Sequence, residues 1–165
     1  MRLEDILTQI APAEQRAMAE AKRRWDAVAH PLNSLGMLET DVIRIAGMTG
    51  SPYIDISKRA VVVMCADNGV VEEGVTQTGQ EVTLAVAKSM AWKGSSVCKM
   101  AQSIAAETIP VDIGINSEES IPGVLDRKVR PGTRNFLKEP TMTEEETVRA
   151  IVTGIKLVQD CKEKG

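Results

Sequence analysis

Residues 60–82 read AVVVMCADNGVVEEGVTQTGQEV, a β-branched apolar run that ends abruptly in Asp67-Asn68-Gly69. Near-continuous apolar strands are typical of parallel sheets that helices cover on both faces. In open α/β sheets, ligands bind at the edge where such strands end. The stretch therefore predicts a buried parallel strand that delivers polar groups to a ligand-binding edge, and an Asx turn that merely closes the strand is the alternative.

A second strand with the same kind of ending is predicted over residues 108–114, where Asp112 is followed by Gly114. Pro110 lies inside this strand, and proline is confined to strand starts, edges and bulges because it has no N–H to donate. Two strands that both end in an acid and a glycine favour a ligand site at the shared edge more than either does alone.

The first 50 residues have the spacing of helices and no strand pattern. A short amphipathic segment occupies residues 2–10, a longer helix is predicted from Pro12 to about Ala29, and Ser34 is a candidate cap for a third helix. We therefore expect residues 1–50 to form or cover a smaller helical domain. The remainder, residues 51–165, is expected to be the amino-terminal part of an α/β domain.

Two helices are predicted between the strands, over residues 79–92 and 95–106, whereas residues 116–134 are loop-rich. Thr143 and Glu146 have the spacing of a capping box, which opens a final helix. This order of elements predicts an α/β fold with part of a doubly wound, Rossmann-like parallel sheet. Because only two strands are evident, we expect the sheet to be incomplete within this sequence.

The composition is that of a globular domain without nucleic-acid or membrane features. The chain has 165 residues, a formal net charge of -3 and only 2% aromatic residues, whereas platforms for single-stranded nucleic acid need aromatic faces. Its one basic cluster, residues 127–130, is interpreted as a solvated loop. No apolar run approaches the ~20 residues of a membrane helix, and no signal peptide is recognisable. We expect a cytoplasmic protein that binds neither nucleic acid nor membrane.

The residue types give little support to metal or triad chemistry. Cys65, Cys98 and Cys161 are far apart and form no Cys-x-x-Cys pair, which favours reduced thiols. His30 is the single histidine, so a His-based triad or a multi-histidine metal site is excluded within these residues. Neither Gly-x-Gly-x-x-Gly nor a Walker loop occurs. We expect no metal ion and no cofactor.

Seven short strings stand in a characteristic order and spacing. They are Pro31-Leu32-Asn33-Ser34-Leu35-Gly36, Ala66-Asp67-Asn68-Gly69-Val70, Gly74-Val75-Thr76, Gln80-Glu81-Val82-Thr83, Val111-Asp112-Ile113-Gly114, Gly132-Thr133-Arg134-Asn135-Phe136 and Thr141-Met142-Thr143. They are distributed along the chain from residue 31 to residue 143. In these strings the chain resembles the amino-terminal half of the nicotinate-nucleotide–dimethylbenzimidazole phosphoribosyltransferase family.

The resemblance implies transfer of phosphoribose from nicotinate mononucleotide to a ring nitrogen of dimethylbenzimidazole, in the biosynthesis of cobalamin. It implies a base-binding pocket lined by Ser34, Asp67, Asn68, Gly69, Thr76, Gln80 and Met90. It implies that the ribose lies near Asp112, Gly114, Gly132, Thr133 and Arg134.

The resemblance also implies that the chain is not competent alone. The catalytic glutamate and the phosphate-binding glycine loops of the family are expected beyond Gly165, so no catalytic residue is predicted here. A homodimer or a complementary carboxyl-terminal chain is the expected partner. Two hypotheses stay open: a phosphoribosyltransferase that needs its other half, and a non-catalytic binding or regulatory half-subunit for a benzimidazole-like ligand.

Three positions depart from the family pattern: Asn68 replaces a histidine, Thr76 a serine and Gly79 a proline. An amide cannot titrate as an imidazole does, and the extra methyl group of threonine narrows a pocket. The accepted base is therefore open among dimethylbenzimidazole, another benzimidazole, a purine and a phenol.

Overall fold

The computed structural model describes residues 2–164 and divides them into two compact units. Glu4–Ser57 forms one unit, called the helical unit here because the described part of it contains helices and no strand. The chain from Lys58 onward belongs to the other, called the α/β unit. The α/β class and the parallel sheet that the sequence predicts are confirmed.

The helical unit contains α1 (Leu3–Leu7) from its second residue onward, α2 (Gln15–Asp26) and α3 (Met37–Thr49). Helices α2 and α3 pack through small residues, because Ala17 and Ala21 of α2 and Ala46 of α3 are buried. Gly47 lies so close to α2 that a Cβ atom there would stand 2.7 Å from Cγ of Met18.

Helix α2 is shorter at both ends than the sequence predicts. It begins at Gln15 rather than at Pro12, because the carboxylate of Glu14 accepts backbone N–H groups of the first turn and caps the helix there. It ends at Asp26 rather than near Ala29.

The prediction that Ser34 caps α3 is wrong. The helix begins at Met37, and its N-cap is Gly36, which has a φ of +57° and no side-chain cap. The carboxylate of Glu39 reaches back and accepts the backbone N–H of Leu35 at 3.0 Å. This charge-assisted bond holds the turn that precedes the helix, while no side chain caps the helix itself.

The α/β unit follows the predicted order, with one strand more than expected. Its elements are β1 (Ala60–Ala66), a 3₁₀ turn (Gly69–Glu73), α4 (Glu81–Ala91), α5 (Ser96–Ser103), β2 (Glu107–Gly114), β3 (Leu125–Asp126) and α6 (Glu144–Glu163). The strands are parallel and stand in the order β1-β2-β3. Ser95 caps α5, and Thr143 with Glu146 forms the predicted capping box of α6.

The short length of β3 explains why Pro110 is tolerated inside β2. Pro110 stands opposite Val63 of β1, whereas β3 pairs with Val111 and Asp112 alone. At the level of the proline, β2 therefore has a strand neighbour on one side only among the described residues. The rule that confines proline to sheet edges holds locally.

The core of the α/β unit is aliphatic, as the shortage of aromatic residues requires. Helices α4 and α5 contact the sheet, and the buried cluster comprises Cys65, Ala87, Met90, Cys98, Ile115 and Ile121. All three cysteines are free thiols, and burial raises the pKa of the Cys65 thiol. Within residues 2–164, no helix is both long enough and apolar enough to cross a membrane.

Candidate functional site at the carboxyl edge of the sheet

Backbone hydrogen bonds join three segments where β1 and β2 end. Ala66 stands opposite Gly114, and the backbone N–H of Asp67 donates to the Gly114 carbonyl at 3.0 Å. The same carbonyl accepts the N–H of Gly132 at 3.0 Å, and the Asp67 carbonyl accepts the N–H of Thr133 at 2.9 Å. The structure thus brings together four residues that the sequence predicts for the site.

The side chain of Asp67 ties the two strand ends together. It is only 3% exposed, and its Oδ2 accepts the backbone N–H of Asn116 at 2.7 Å. A buried carboxylate needs such a donor, because burying a charged or polar group without one is costly. This donor lies 49 positions away in the sequence, so the carboxylate does more than close a local Asx turn.

Gly69 is required for a close approach of two backbones. A Cβ atom at this position would stand 2.6 Å from backbone atoms of Thr133, Arg134 and Asn135. The N–H of Gly69 donates to Oγ1 of Thr133 at 3.2 Å. The 3₁₀ turn therefore packs directly on the segment 133–135, and there is no space for a side chain between them.

Three amide groups form a second network at this edge. Nε2 of Gln80 donates to the backbone carbonyl of Asn68 at 3.1 Å, and Nδ2 of Asn116 donates to Oε1 of Gln80 at 2.7 Å. Asn68 contributes its carbonyl, while the residue as a whole is exposed. Asn116 is absent from the predicted site; the signal that could have found it is its place two residues after Gly114, at the end of β2.

The loop between the 3₁₀ turn and α4 is exposed, and its hydrogen bonds are local. The Thr76 hydroxyl donates to the carbonyl of Thr78, and Oε1 of Glu81 accepts the backbone N–H of Gly79 at 3.3 Å. A proline at position 79 has no N–H for this bond, which gives the departure at Gly79 a local structural role. The N-cap of α4 is Gln80, which makes no side-chain cap hydrogen bond.

Two predicted site residues, Met90 and Ser34, stand apart from the others in the fold. Met90 is 3% exposed and packs in the core beneath α4, so it has almost no open face. Ser34 belongs to the helical unit, whereas the other predicted site residues belong to the α/β unit.

Both carboxylate oxygens of Asp112 have partners in the α/β unit. Its Oδ1 accepts the N–H of Ile115 at 2.8 Å, and its Oδ2 lies 3.2 Å from Nζ of Lys128. Lys128 also donates to the Ser117 carbonyl. These groups border a cavity of about 290 Å³, whose lining includes Asp112, Ser117, Asp126, Lys128 and Pro131. The interpretation of residues 127–130 as a solvated loop holds for the exposed Arg127 but not for Lys128, which Asp112 holds against the end of the sheet.

Arg134 forms a bidentate ion pair with Glu146. Its Nη1 and Nη2 lie 2.6 and 3.1 Å from the two carboxylate oxygens of Glu146. These hydrogen bonds, the backbone N–H of Thr143 and the charge of Arg130 lower the pKa of Glu146 to about 2. The Arg134 guanidinium therefore anchors the loop to the start of α6.

Arg130 stands beside this pair with one buried nitrogen. Its Nε lies 3.7 Å from Oε1 of Glu146, and its Nη1 is buried without a hydrogen-bond partner among residues 2–164. Arg130 also lines an apolar cavity of about 100 Å³ with Gly114, Gly132, Thr133 and Met142. Within those same residues, no cluster of three or more His, Cys, Asp or Glu side chains is arranged to hold a metal ion.

The sequence that forms this sheet and its polar edge matches a known protein family. A family model described as phosphoribosyltransferase covers residues 10–165, and the chain belongs to this family. The resemblance drawn from the seven strings is thereby confirmed.

Individual relatives share a more particular name. The chain is 41% identical over 163 residues to the nicotinate-nucleotide–dimethylbenzimidazole phosphoribosyltransferase of Clostridium perfringens, which aligns with 99% of this chain and 45% of that protein. It is 39% identical over 165 residues to the protein of the same name from Ruminiclostridium cellulolyticum, covering 100% of this chain and 47% of that protein.

A solved structure agrees with this result. The crystal structure of the protein of that name from Thermus thermophilus has a TM-score of 0.81 and 35% identity, and the match covers 92% of this chain and 46% of that one. The chain spans about half the length of the relatives that it matches.

Proposed function

We propose that this chain supplies the base-binding part of an enzyme that transfers phosphoribose from nicotinate mononucleotide to dimethylbenzimidazole or a similar aromatic base, in cobalamin (cobamide) biosynthesis. Membership of the phosphoribosyltransferase family and the shared name of the relatives support this proposal. The observation that carries it within the chain is the network of amides at the carboxyl edge, formed by Asn116, Gln80 and the carbonyl of Asn68.

The chemistry defines what such a site must provide. A ring nitrogen of the base bonds to C1 of the ribose, while the bond from C1 to the nicotinate nitrogen breaks and its electron pair leaves with nicotinate. The base gives up its N–H proton to a proton acceptor, and positive charge develops at C1 as the bonds change. The site therefore needs polar groups that fix the edge of a flat ring and a proton acceptor within hydrogen-bond reach.

The amide network suits the first of these tasks. One N–H and one lone pair of the Gln80 amide remain after its bonds to Asn68 and Asn116. We assign Gln80 and Asn68, with Thr76 in the adjoining loop, to the edge of the base. Gly69 and Asp67 hold the loop that carries them, and Met90 supports it from the core.

The ribose side receives a revised assignment. Asp112 and Arg134 already have charged partners in Lys128 and Glu146, so we assign them to holding the loop rather than to contacting ribose. The backbone at Gly114, Gly132 and Thr133, next to the 100 Å³ cavity, is the part of this side that we assign to the substrate.

The other half of the protein supplies the rest of the site in this proposal. The proton acceptor and the phosphate-binding groups come from residues outside 1–165, on the same polypeptide or on a complementary chain. The free edge of β1 is where that half would join. Within residues 2–164 no strand pairs with β1 on the side away from β2, and Met64 on that strand is 43% exposed.

The test measures release of nicotinate by the protein at its full natural length, with nicotinate mononucleotide and dimethylbenzimidazole as substrates. Release that depends on the base is expected. A Gln80→Ala substitution should raise the KM for the base about 10-fold, the effect of one lost hydrogen bond, with little change in the KM for nicotinate mononucleotide.

The matched control is Gln102→Ala, because Gln102 is exposed on α5, which leads into the opposite end of β2. Binding of the base without any release of nicotinate would instead support the non-catalytic, regulatory hypothesis. If the protein neither binds the base nor releases nicotinate, the proposal is overturned.

A further inference from the structure

We propose that Asn116 is a positioning residue: its side chain holds the amide of Gln80 in the orientation that the Asn68 carbonyl imposes, and so maintains the pattern of donors and acceptors that the base must match. This inference rests on the proposed role of Gln80 in binding the base. It adds a residue that makes no contact with substrate in the proposed site and acts through Gln80.

The polarity of the network follows from one group whose role is fixed. The backbone carbonyl of Asn68 can only accept a hydrogen bond, so the Gln80 atom 3.1 Å from it must be the donor Nε2. Oε1 of Gln80 therefore faces Asn116. Because this oxygen is an acceptor, the Asn116 atom that contacts it at 2.7 Å must be the donor Nδ2. A half-turn of the Gln80 amide would set two carbonyl oxygens against each other at Asn68 and two NH₂ groups at Asn116.

The anchor of Asn116 is independent of its side chain. Its backbone N–H donates to Oδ2 of Asp67 at 2.7 Å, in a part of the edge where Asp67 is buried. A substitution at position 116 keeps this backbone bond, so the side chain can be changed while the strand ends stay joined. The effect on Gln80 can therefore be separated from an effect on folding.

The network is also independent of the side chain at position 68. Asn68 takes part through its backbone carbonyl, which any residue offers. The replacement of a histidine by Asn68 therefore leaves the orientation of Gln80 unchanged. The residue at 116 then contributes to the choice of base, because it decides whether Oε1 of Gln80 keeps its donor.

The test exchanges the donor for an acceptor in the protein at its full natural length. In Asn116→Asp, a carboxylate of the same shape can only accept, so it attracts Nε2 of Gln80 away from Asn68 and the fixed orientation is lost. The control Gln102→Glu makes the same amide-to-acid change on the exposed surface of α5. Asn116→Gln retains a donor and serves as the conservative variant.

Steady-state kinetics with dimethylbenzimidazole and with adenine give the readout. For Asn116→Asp we expect the ratio of kcat/KM for the two bases to change about 10-fold, in line with one hydrogen bond, through the KM for the base. The KM for nicotinate mononucleotide should stay within about 2-fold, because the Asp67 anchor remains. Asn116→Gln should recover part of the change, and Gln102→Glu should leave the ratio as it was.

The outcomes separate this inference from the function on which it rests. If the wild-type protein is active and Asn116→Asp leaves the ratio of kcat/KM for the two bases unchanged, only the positioning role of Asn116 is overturned. Equal loss of affinity for both bases and for nicotinate mononucleotide would also overturn it, because that result indicates a general structural defect. A wild-type protein that transfers phosphoribose to neither base would remove the proposed function, and this inference with it.

Discussion

Two parts of the carboxyl edge are held by different kinds of contact. The inner edge, defined by Asp67, Gly114, Gly132 and Thr133, is joined by backbone hydrogen bonds between segments far apart in the chain. The outer loop, residues 74–79, is exposed and makes local hydrogen bonds. The difference indicates that the inner edge is held in place by the fold, whereas the outer loop is free to adjust; in the proposed function, the loop would adjust to the base.

The largest effect is expected from glycine substitutions that compare these two parts. Gly69→Ala should lower the free energy of unfolding by about 3 kcal/mol, because its Cβ would stand 2.6 Å from three backbone atoms packed on the inner edge. Gly74→Ala is the matched control, since its φ is +69° and no atom lies within 4 Å of the added Cβ. It should cost about 1 kcal/mol for the left-handed backbone alone.

Urea unfolding of the two variants measures this difference. Equal urea midpoints for Gly69→Ala and Gly74→Ala would show that the inner edge tolerates an added methyl group as well as the outer loop does. The contrast between the two parts would then be lost.

The next effect concerns the buried carboxylate of the inner edge. Asp67→Ala should destabilise the protein by about 2 kcal/mol, because it leaves the N–H of Asn116 without its acceptor. Asp160→Ala removes an exposed carboxylate from α6 and should stay within about 0.5 kcal/mol of wild type. Thermal unfolding of both variants provides the comparison, and similar losses would contradict it.

A smaller, pH-dependent effect is expected where Arg134 meets α6. The pKa of Glu146 falls from 4.5 to about 2 in the folded protein, so its contribution to stability is present above pH 4.5 and is lost as the pH falls through about 2. Glu146→Gln should therefore lower the melting temperature at neutral pH, with a difference from wild type that shrinks between pH 4.5 and 2.

Glu145→Gln is the control for this pH profile, because it removes an exposed acid from the same first turn of α6. A difference between wild type and Glu146→Gln that stays constant from pH 7 to about pH 2 would exclude the ion pair with Arg134 as its cause.

The smallest effect on stability is expected in the outer loop. Thr76→Ser keeps the hydroxyl of an exposed side chain, so the free energy of unfolding should change by less than about 0.5 kcal/mol. The removed methyl group should instead alter the KM for dimethylbenzimidazole relative to smaller bases. A change in stability without a change in the preference for bases would assign Thr76 to the fold rather than to the site.

Features that depend on local sequence were predictable. The apolar runs of β1 and β2 and the spacing of Thr143 and Glu146 are patterns within a few residues, and the structure confirms them. Strand β3 could not be predicted, because a strand of two residues is too short to show an alternation of apolar and polar side chains. It exists through its pairing with Val111 and Asp112, which sequence spacing does not reveal.

Side-chain partners that lie far apart in the chain were not predictable. The bond from Asn116 to Asp67 joins residues 49 positions apart, and neither residue type indicates the other. Lys128 has the sequence context of a solvated loop, yet the fold brings it within 3.2 Å of Asp112. The strand ends at which the candidate residues lie were thus accessible from the sequence, whereas Asn116 and the way each residue is held were not.

The central claim, that the Gln80 amide at the carboxyl edge binds the aromatic base while Asn116 holds that amide, is tested most directly by NMR of the side-chain NH₂ groups in the protein at its full natural length. Spectra of Gln80→Ala and Asn116→Ala identify the two signals, and Gln102 serves as reference. On titration with dimethylbenzimidazole, the signals of Gln80 and Asn116 should shift in saturable fashion while that of Gln102 stays fixed. Saturable binding of the base without a shift at Gln80 or Asn116 would contradict the claim.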